Sequence, residues 1–218
     1  MPRPELPAAR ADTAALGLAL GDAQLQRLLD YLDLLQRWNR TYNLTAVRDP
    51  EAMWSHHVLD SLAAAPSVLR HFGGAAPARI LDVGSGGGLP GLVWGVLWPD
   101  TEIACVDAVG KKAAFIRQAA GALGLTRVRG IHARVESLAE PPYPLITSRA
   151  FASLVDFTRL TRHLLADGGW WLALKGKSPD DELAEGAFPP AMFHVEPIAV
   201  PGLDAERCLV WLQAGAAG

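Results

Sequence analysis

The sequence predicts an α/β protein: a doubly wound, mostly parallel sheet with antiparallel edge strands at its C-terminal end and a helical extension at its N-terminal end. Three observations predict it. From residue 79 onward short β-rich runs alternate with helical ones, the pattern of βαβ units with helices on both faces of a sheet. A glycine-rich turn in "ILDVGSGGGLPGL" joins the first of those strands to a helix. The last two β-like runs, "MFHVEPIAV" and "RCLVWLQA", have no long helix between them and therefore pair antiparallel.

The elements follow in order. In "AALGLAL", residues 14–20, acids precede the apolar run, Gly17 interrupts it and no small-residue cleavage site follows, so it reads as a short helix and not as a signal peptide. From Asp22 to Asn39 the residues Leu25, Leu28, Leu29, Leu32, Leu35 and Trp38 recur at helical spacing, with Asp22 placed to cap the start. Pro50 opens a second helical segment, "EAMWSHHVLDSLAAAPSVLRHF". "GGAAPA" breaks the pattern, which sets a boundary near Gly73 to Pro77: an extension over 1–73 and a sheet domain over 74–218. The expected strands are "RILDV", "EIACVD", "VRGIHA", "LITSRA" and "WWLALKG"; the segments between them are "LPGLVWGVL", "KKAAFIRQAAGALG", a short stretch after Val135 and "SLVDFTRLTRHLL".

Half of the 218 residues are hydrophobic and seven are tryptophans, ample for a buried core. Cys105 and Cys208 sit inside apolar runs and read as core residues of a reducing compartment, neither a disulfide nor a metal pair. The longest uncharged stretch, Val83 to Pro99, carries six glycines and two prolines, which argues against a membrane span and for a cytoplasmic protein. Net charge is −3, but residues 108–177 hold eleven Lys/Arg against four acids, +7 against −10 elsewhere. Such asymmetry fits one basic face for a polyanion such as RNA, or a solvated surface.

The glycine turn is the informative motif. Gly86, Gly88 and Gly91 satisfy G-x-G-x-x-G, so a dinucleotide must be weighed. Asp82 decides against it. A carboxylate two residues before Gly84 would face a pyrophosphate at close range, where like charges are costly, whereas it favours the cationic, phosphate-free S-adenosylmethionine. The alternative, in which Asp82 only caps the following helix, stays open. Asp107 ends the second strand, where an acid accepts hydrogen bonds from ribose hydroxyls whichever the cofactor. Glu136, after the third strand, is placed to meet an adenine edge or to lie on the surface.

"NLTAVRDPEAMWSHHVLDSL", "ILDVGSGGGLPGL", "VDAVGKKAAFIRQ", "RVESL" and "SRAFASL" occur in the order and spacing of one bacterial family. From about Leu25 to the final strand the chain resembles the small-subunit ribosomal RNA guanine-N7 methyltransferases, also called glucose-inhibited division protein B. The resemblance implies a Rossmann-like class I S-adenosylmethionine-dependent methyltransferase that methylates N7 of one loop guanine in 16S rRNA. It implies cofactor contacts at Gly84, Leu89, Val135, Glu136 and Arg149 and near Asp107, with Asp82 and Gly86 completing the motif. The chain departs at Pro144, where the family often has an acid, so side-chain catalysis from that strand end is doubtful.

Guanine N7 carries a lone pair and no proton, so neither a general base nor a covalent nucleophile is required; alignment at about 3 Å suffices. No catalytic residue is assigned. N7 faces a major groove that is too deep and narrow in A-form RNA, so the target must be unpaired or extruded. Lys111, Lys112, Arg117, Arg149, Lys175 and Lys177 are candidates for RNA contacts, Arg149 alternatively for the cofactor carboxylate; the others could equally be solvated helix or loop ends. Adjacent His56 and His57 do not face each other on a helix, so no metal site is expected. His57 and Asp60, one turn apart, could pair structurally or line the RNA cleft. The tryptophans read as packing residues, with Trp54 able to stack on a base. The expected partner is 16S rRNA or the small ribosomal subunit, and the expected state a monomer.

Overall fold

The computed structural model describes residues 3–149, 151, 153–186 and 188–214. Helix α1 (Leu6–Ala15) and the long α2 (Asp22–Tyr42) lead into a segmented helix: α3 (Pro50–Met53), a π-helical turn (Trp54–Leu59), α4 (Asp60–Ala63) and α5 (Ala65–His71). The sheet domain runs β1 (Arg79–Val83), α6 (Gly91–Leu97), β2 (Glu102–Asp107), α7 (Gly110–Ala122), β3 (Val128–His132), β4 (Tyr143–Ser148), α8 (Leu154–Thr161), β5 (Leu165–Lys175), α9 (Asp180–Glu185), β6 (Phe193–Pro197) and β7 (Cys208–Gln213). A 3-10 turn, Val135–Ser137, takes the place of a helix between β3 and β4.

The seven strands lie in the order β3-β2-β1-β4-β5-β7-β6. The first five are parallel, and β7 runs antiparallel to both β5 and β6. Strand order reverses between β1 and β4, and ligands of open α/β sheets bind outside the carboxyl ends at that point. Successive strand residues face opposite sides, as a pleat requires. Ile80, Ile103, Leu145, Leu172 and Trp211 join α1, α2, α6 and α7 in one core; Leu81, Ala104, Ile146, Trp171 and Val210 join α8 and α9 in the other. The turn Gly73–Pro77 separates α5 from β1, yet residues on both sides of it share the first core.

Several expectations shift by a few residues. The helix expected in "AALGLAL" lies earlier: α1 ends at Ala15, because Gly17 takes φ +75, and Leu18 and Leu20 enter the core from a non-helical segment. Asp22 is the first residue of α2 and not its cap; Gly21 caps, and its amide donates to Gln24 Oε1. β5 starts at Leu165, ahead of the expected Trp170, with a register shift against β4 between Tyr143 and Leu145 that absorbs Gly168 at φ +69. β4 ends at Ser148; Ala150, the last residue of the expected strand "LITSRA", lies outside the described residues, as does Ala152. Helix α9 was not anticipated; Asp180, Asp181 and Glu182 in its first turn suit a helix start.

Candidate functional site

Two clefts open at the carboxyl end of the sheet, one on each side of the β4 end. The first lies over β1, β2 and β3. Val83, Val106, Ala133, Val135, Phe151 and Leu160 give it apolar walls, and Gly84, Asp107, Arg134 and Glu136 line it as well. Gly84, at φ +67, has open space where a Cβ would stand, so backbone approaches a ligand there without obstruction.

Six amides of the glycine turn are already committed. Gly84 and Ser85 donate to the Val106 carbonyl, Gly88 and Leu89 to the Ser85 carbonyl, and Gly86 to Asp107 Oδ2 at 3.0 Å. Gly91, the first residue of α6, donates to Asp82 Oδ2 at 2.9 Å. A phosphate cradle needs free amides at a helix start. Here a carboxylate occupies that place, and Gly91 must be glycine because a Cβ would overlap Asp82 and the Cys105 sulfur.

Asp82 therefore occupies an amide at the helix start that a phosphate would use, and it does not face a cation across the cleft. It has no exposed surface, it lines neither cleft, and it does cap α6. Among the described residues its Oδ1 has no hydrogen-bond partner, and burial pushes its carboxyl up to about 7. Leu89 is likewise a core residue, 3% exposed. Of the residues expected around a cofactor, the structure gathers Gly84, Asp107, Val135 and Glu136 in the first cleft, with Gly86 bonded to Asp107. Arg149 belongs to the second cleft.

Asp107 accepts from Val109 at 2.8 Å through Oδ1 and from Gly86 through Oδ2, with Lys112 Nζ 4.0 Å away. A carboxylate offers about four lone-pair positions, so capacity remains for a diol. Glu136 is bridged to Arg134 at 2.6 Å. Its own backbone amide and that guanidinium hold its carboxyl below the usual range.

The second cleft lies over the ends of β4, β5 and the start of β7. His56, Asp60, Arg149, Leu174, Lys175, Ile198, Arg207 and Cys208 line it. Its construction starts in the π-helical turn. The Asp60 amide bonds to the Ser55 carbonyl in place of His56, which leaves the His56 carbonyl to accept from Arg149 Nη1 at 2.8 Å. Asp60 then bridges two guanidiniums, Oδ2 to Arg149 at 3.4 Å and Oδ1 to Arg207 at 2.7 Å. His57 does not bond Asp60 as the sequence suggested; its Nδ1 accepts from Arg149 Nη2 at 3.3 Å, and its Nε2 meets Thr45 Oγ1 at 2.8 Å. Burial and the Arg149 charge lower its pKa to about 3, so the ring is neutral and Nε2–H donates to Thr45.

Lys175 bonds both Glu182 oxygens, at 2.9 and 3.0 Å. Lys177, exposed, follows at the same rim. Lys111 and Lys112 begin α7 on the first cleft's side, whereas Arg117 sits two turns further along that helix and donates to the Gly130 carbonyl, away from both mouths. Trp54 cannot stack on a base: it is 3% exposed and its indole N–H donates to Asp12. Cys105 and Cys208 are both buried, and burial raises both thiols. Among the described residues no cluster of three His, Cys, Asp or Glu could hold a metal, and no helix is long and apolar enough to cross a membrane.

Reading the sequence did not single out Asp60 as a bridge between arginines, Arg207, or Tyr31. Tyr31 lies in the apolar stripe of α2, so its burial was legible; its partner, the Gly87 carbonyl at 2.7 Å, was not.

Residues 24–210 match the family model described as rRNA small subunit methyltransferase G. The chain is 56% identical over 213 residues to the ribosomal RNA small subunit methyltransferase G of Acidovorax ebreus (strain TPSY), covering 94% of each chain. It is 56% identical over 204 residues to the protein of the same description from Leptothrix cholodnii, covering 93% of each. Among solved structures it is similar to TrmN from Thermus thermophilus, at 25% identity and TM-score 0.50 over 70% of this chain and 48% of that one. A SAM-dependent methyltransferase from Aquifex aeolicus shares the fold, with TM-score 0.53 and 15% identity over 78% of this chain and 96% of the other.

Proposed function

The chain belongs to the rRNA small subunit methyltransferase G family, and from that premise we propose that it transfers a methyl group from S-adenosylmethionine to N7 of a loop guanine in 16S rRNA. Family membership carries the acceptor. The observation that carries the cofactor is the glycine turn, six of whose amides are spent on Val106, Ser85, Asp107 and Asp82, which suits a nucleoside without phosphate.

The first cleft fits that cofactor. Its apolar walls suit an adenine, Asp107 retains lone pairs for the ribose hydroxyls, and Gly84 leaves its backbone open. Val135 and Glu136 border the base, while Gly86 holds Asp107 in place. Asp82 and Leu89 act from beneath the turn by fixing its shape. When bound, S-adenosylmethionine supplies an electrophilic methyl group on a sulfonium.

The protein's own task is alignment. Guanine N7 attacks through its lone pair, so no side chain need remove a proton beforehand. Neither buried thiol is available as a nucleophile, since burial disfavours both thiolates. Arg149, at the end of β4 between the two clefts, is held by His56, His57 and Asp60 and orients the acceptor side. Lys111, Lys112, Lys175 and Lys177 flank the clefts and attract the RNA backbone; Arg117 adds to the long-range field. We further propose that the enzyme acts in the cytoplasm as a monomer. The extension over 1–73 serves the sheet domain over 74–218 as a brace for both clefts.

Incubation with labelled S-adenosylmethionine and naked 16S rRNA, small subunits or free nucleosides tests the proposal. Label is expected on N7 of one guanine in the RNA or the particle. Label confined to nucleosides, or absent from all three, refutes it.

A further inference from the structure

We propose that the second cleft is a phosphodiester subsite, seating one backbone phosphate of the RNA strand beside the target guanosine. The inference rests on the methyltransferase reading and adds its anchor on the acceptor side.

Three cations from three separate segments meet there: Arg149 after β4, Lys175 at the end of β5 and Arg207 just before β7. Their side chains are only 22, 18 and 21% exposed, so their charges are partly stripped of water and their field is focused into the opening. Two carboxylates face them, Asp60 between the arginines and Glu182 on Lys175. The cleft is left with one excess positive charge, the complement of one phosphodiester.

The donors are aimed as well as charged. Asp60 gives one oxygen to each guanidinium, which fixes both planes. Arg207 Nη1 donates to the Glu206 carbonyl, and its Nη2 has no partner among the described residues. Lys175 has three N–H groups and spends two on Glu182. Free capacity is thus on the donor side. The Watson–Crick edge of guanine presents two N–H donors and only O6 as an acceptor, so it matches those free donors through one atom at most. A phosphate oxygen satisfies the donors directly, as paired N–H groups on a guanidinium favour. The competing anion is the carboxylate of the cofactor.

The test measures binding to the RNA or particle that the wild type methylates, across a salt series, together with cofactor calorimetry, for Arg207→Gln, Arg207→Lys and Lys175→Gln. Loss of one phosphate contact should lower the slope of log Kd against log salt by about 0.7 to 0.9 in Arg207→Gln and Lys175→Gln. Arg207→Lys should keep the wild-type slope, and the KM for RNA should rise about tenfold in the two neutral variants, as for one lost charge-assisted bond. Affinity for S-adenosylmethionine should stay unaltered. If Arg207→Gln does not fold, Lys175→Gln decides alone, since its partner Glu182 is 31% exposed. Wild-type slopes and KM in folded neutral variants overturn the subsite. So does a fall in cofactor affinity with the RNA slope unchanged, which would assign the cleft to the cofactor carboxylate. A wild type that methylates no RNA refutes the underlying reading instead.

Discussion

Replacing Asp82 by asparagine should change how stability depends on pH, and the size follows from the burial of one carboxylate. Asp82 is fully enclosed, with Oδ2 on the Gly91 amide and Oδ1 unpartnered among the described residues, and burial raises its carboxyl to about 7. In the unfolded chain the group titrates near 3.9. A raised native pKa means that the folded state holds the proton more tightly, so its contribution is fully present below about pH 4 and is lost as pH rises through about 7. The whole effect is on the order of 4 kcal/mol, of which roughly 3 kcal/mol falls between pH 5 and pH 8. Asparagine keeps the shape and an acceptor for Gly91 but does not titrate. Every other ionisable group is common to both proteins, so the difference between their urea-unfolding free energies isolates Asp82. That difference should move in favour of Asp82→Asn by a few kcal/mol from pH 5 to pH 8. A difference that stays constant over that range refutes the reasoning, because it would mean that the carboxylate is solvated in the native state.

Tyr31→Phe keeps the ring but leaves the buried Gly87 carbonyl unpaired; about 1–3 kcal/mol of stability should be lost, with weaker cofactor binding by calorimetry. Asp107→Ala removes the proposed ribose acceptor and frees the Gly86 and Val109 amides, so the Kd for S-adenosylmethionine should rise about 10- to 100-fold while affinity for rRNA holds. Trp54→Phe breaks the bond to Asp12 and should cost about 1 kcal/mol in thermal unfolding, with the KM for RNA unchanged because the indole is out of reach of a base.

The alternation of strand and helix, the parallel sheet and its antiparallel edge were legible because periodicity and turn residues report on backbone directly. The family was legible in "SRAFASL" and "GSGGGLPGL". What Asp82 does was not. Sequence position placed a carboxylate beside the glycine turn, but which way a side chain leaves a strand end depends on register. In the sheet Asp82 follows Ile80 onto the face covered by α2 and α6. It meets the start of α6 there and not the cleft. The π-helical turn was equally hidden, since the composition of "WSHHVL" distinguishes it from an ordinary α-helix in no way that periodicity can report. Arg207 escaped notice because its role depends on Asp60, 147 residues earlier.

Those long-range bonds explain why the N-terminal helices belong to the site and are not an appendage. Tyr31 on α2 holds the glycine turn from below through Gly87, and Leu35 packs against the same glycine. At the other cleft, Thr45 fixes His57, His57 fixes Arg149, and Asp60 ties Arg149 to Arg207. A methyl transfer that lacks a general base depends on the relative placement of donor and acceptor, where an error of 1 Å is costly. The sheet alone fixes where β1 and β4 end. It does not fix where the Gly87 carbonyl and the Arg149 guanidinium point. Both are set by side chains and carbonyls on helices before residue 73, so the extension turns a generic nucleoside-binding edge into two clefts of fixed relative geometry.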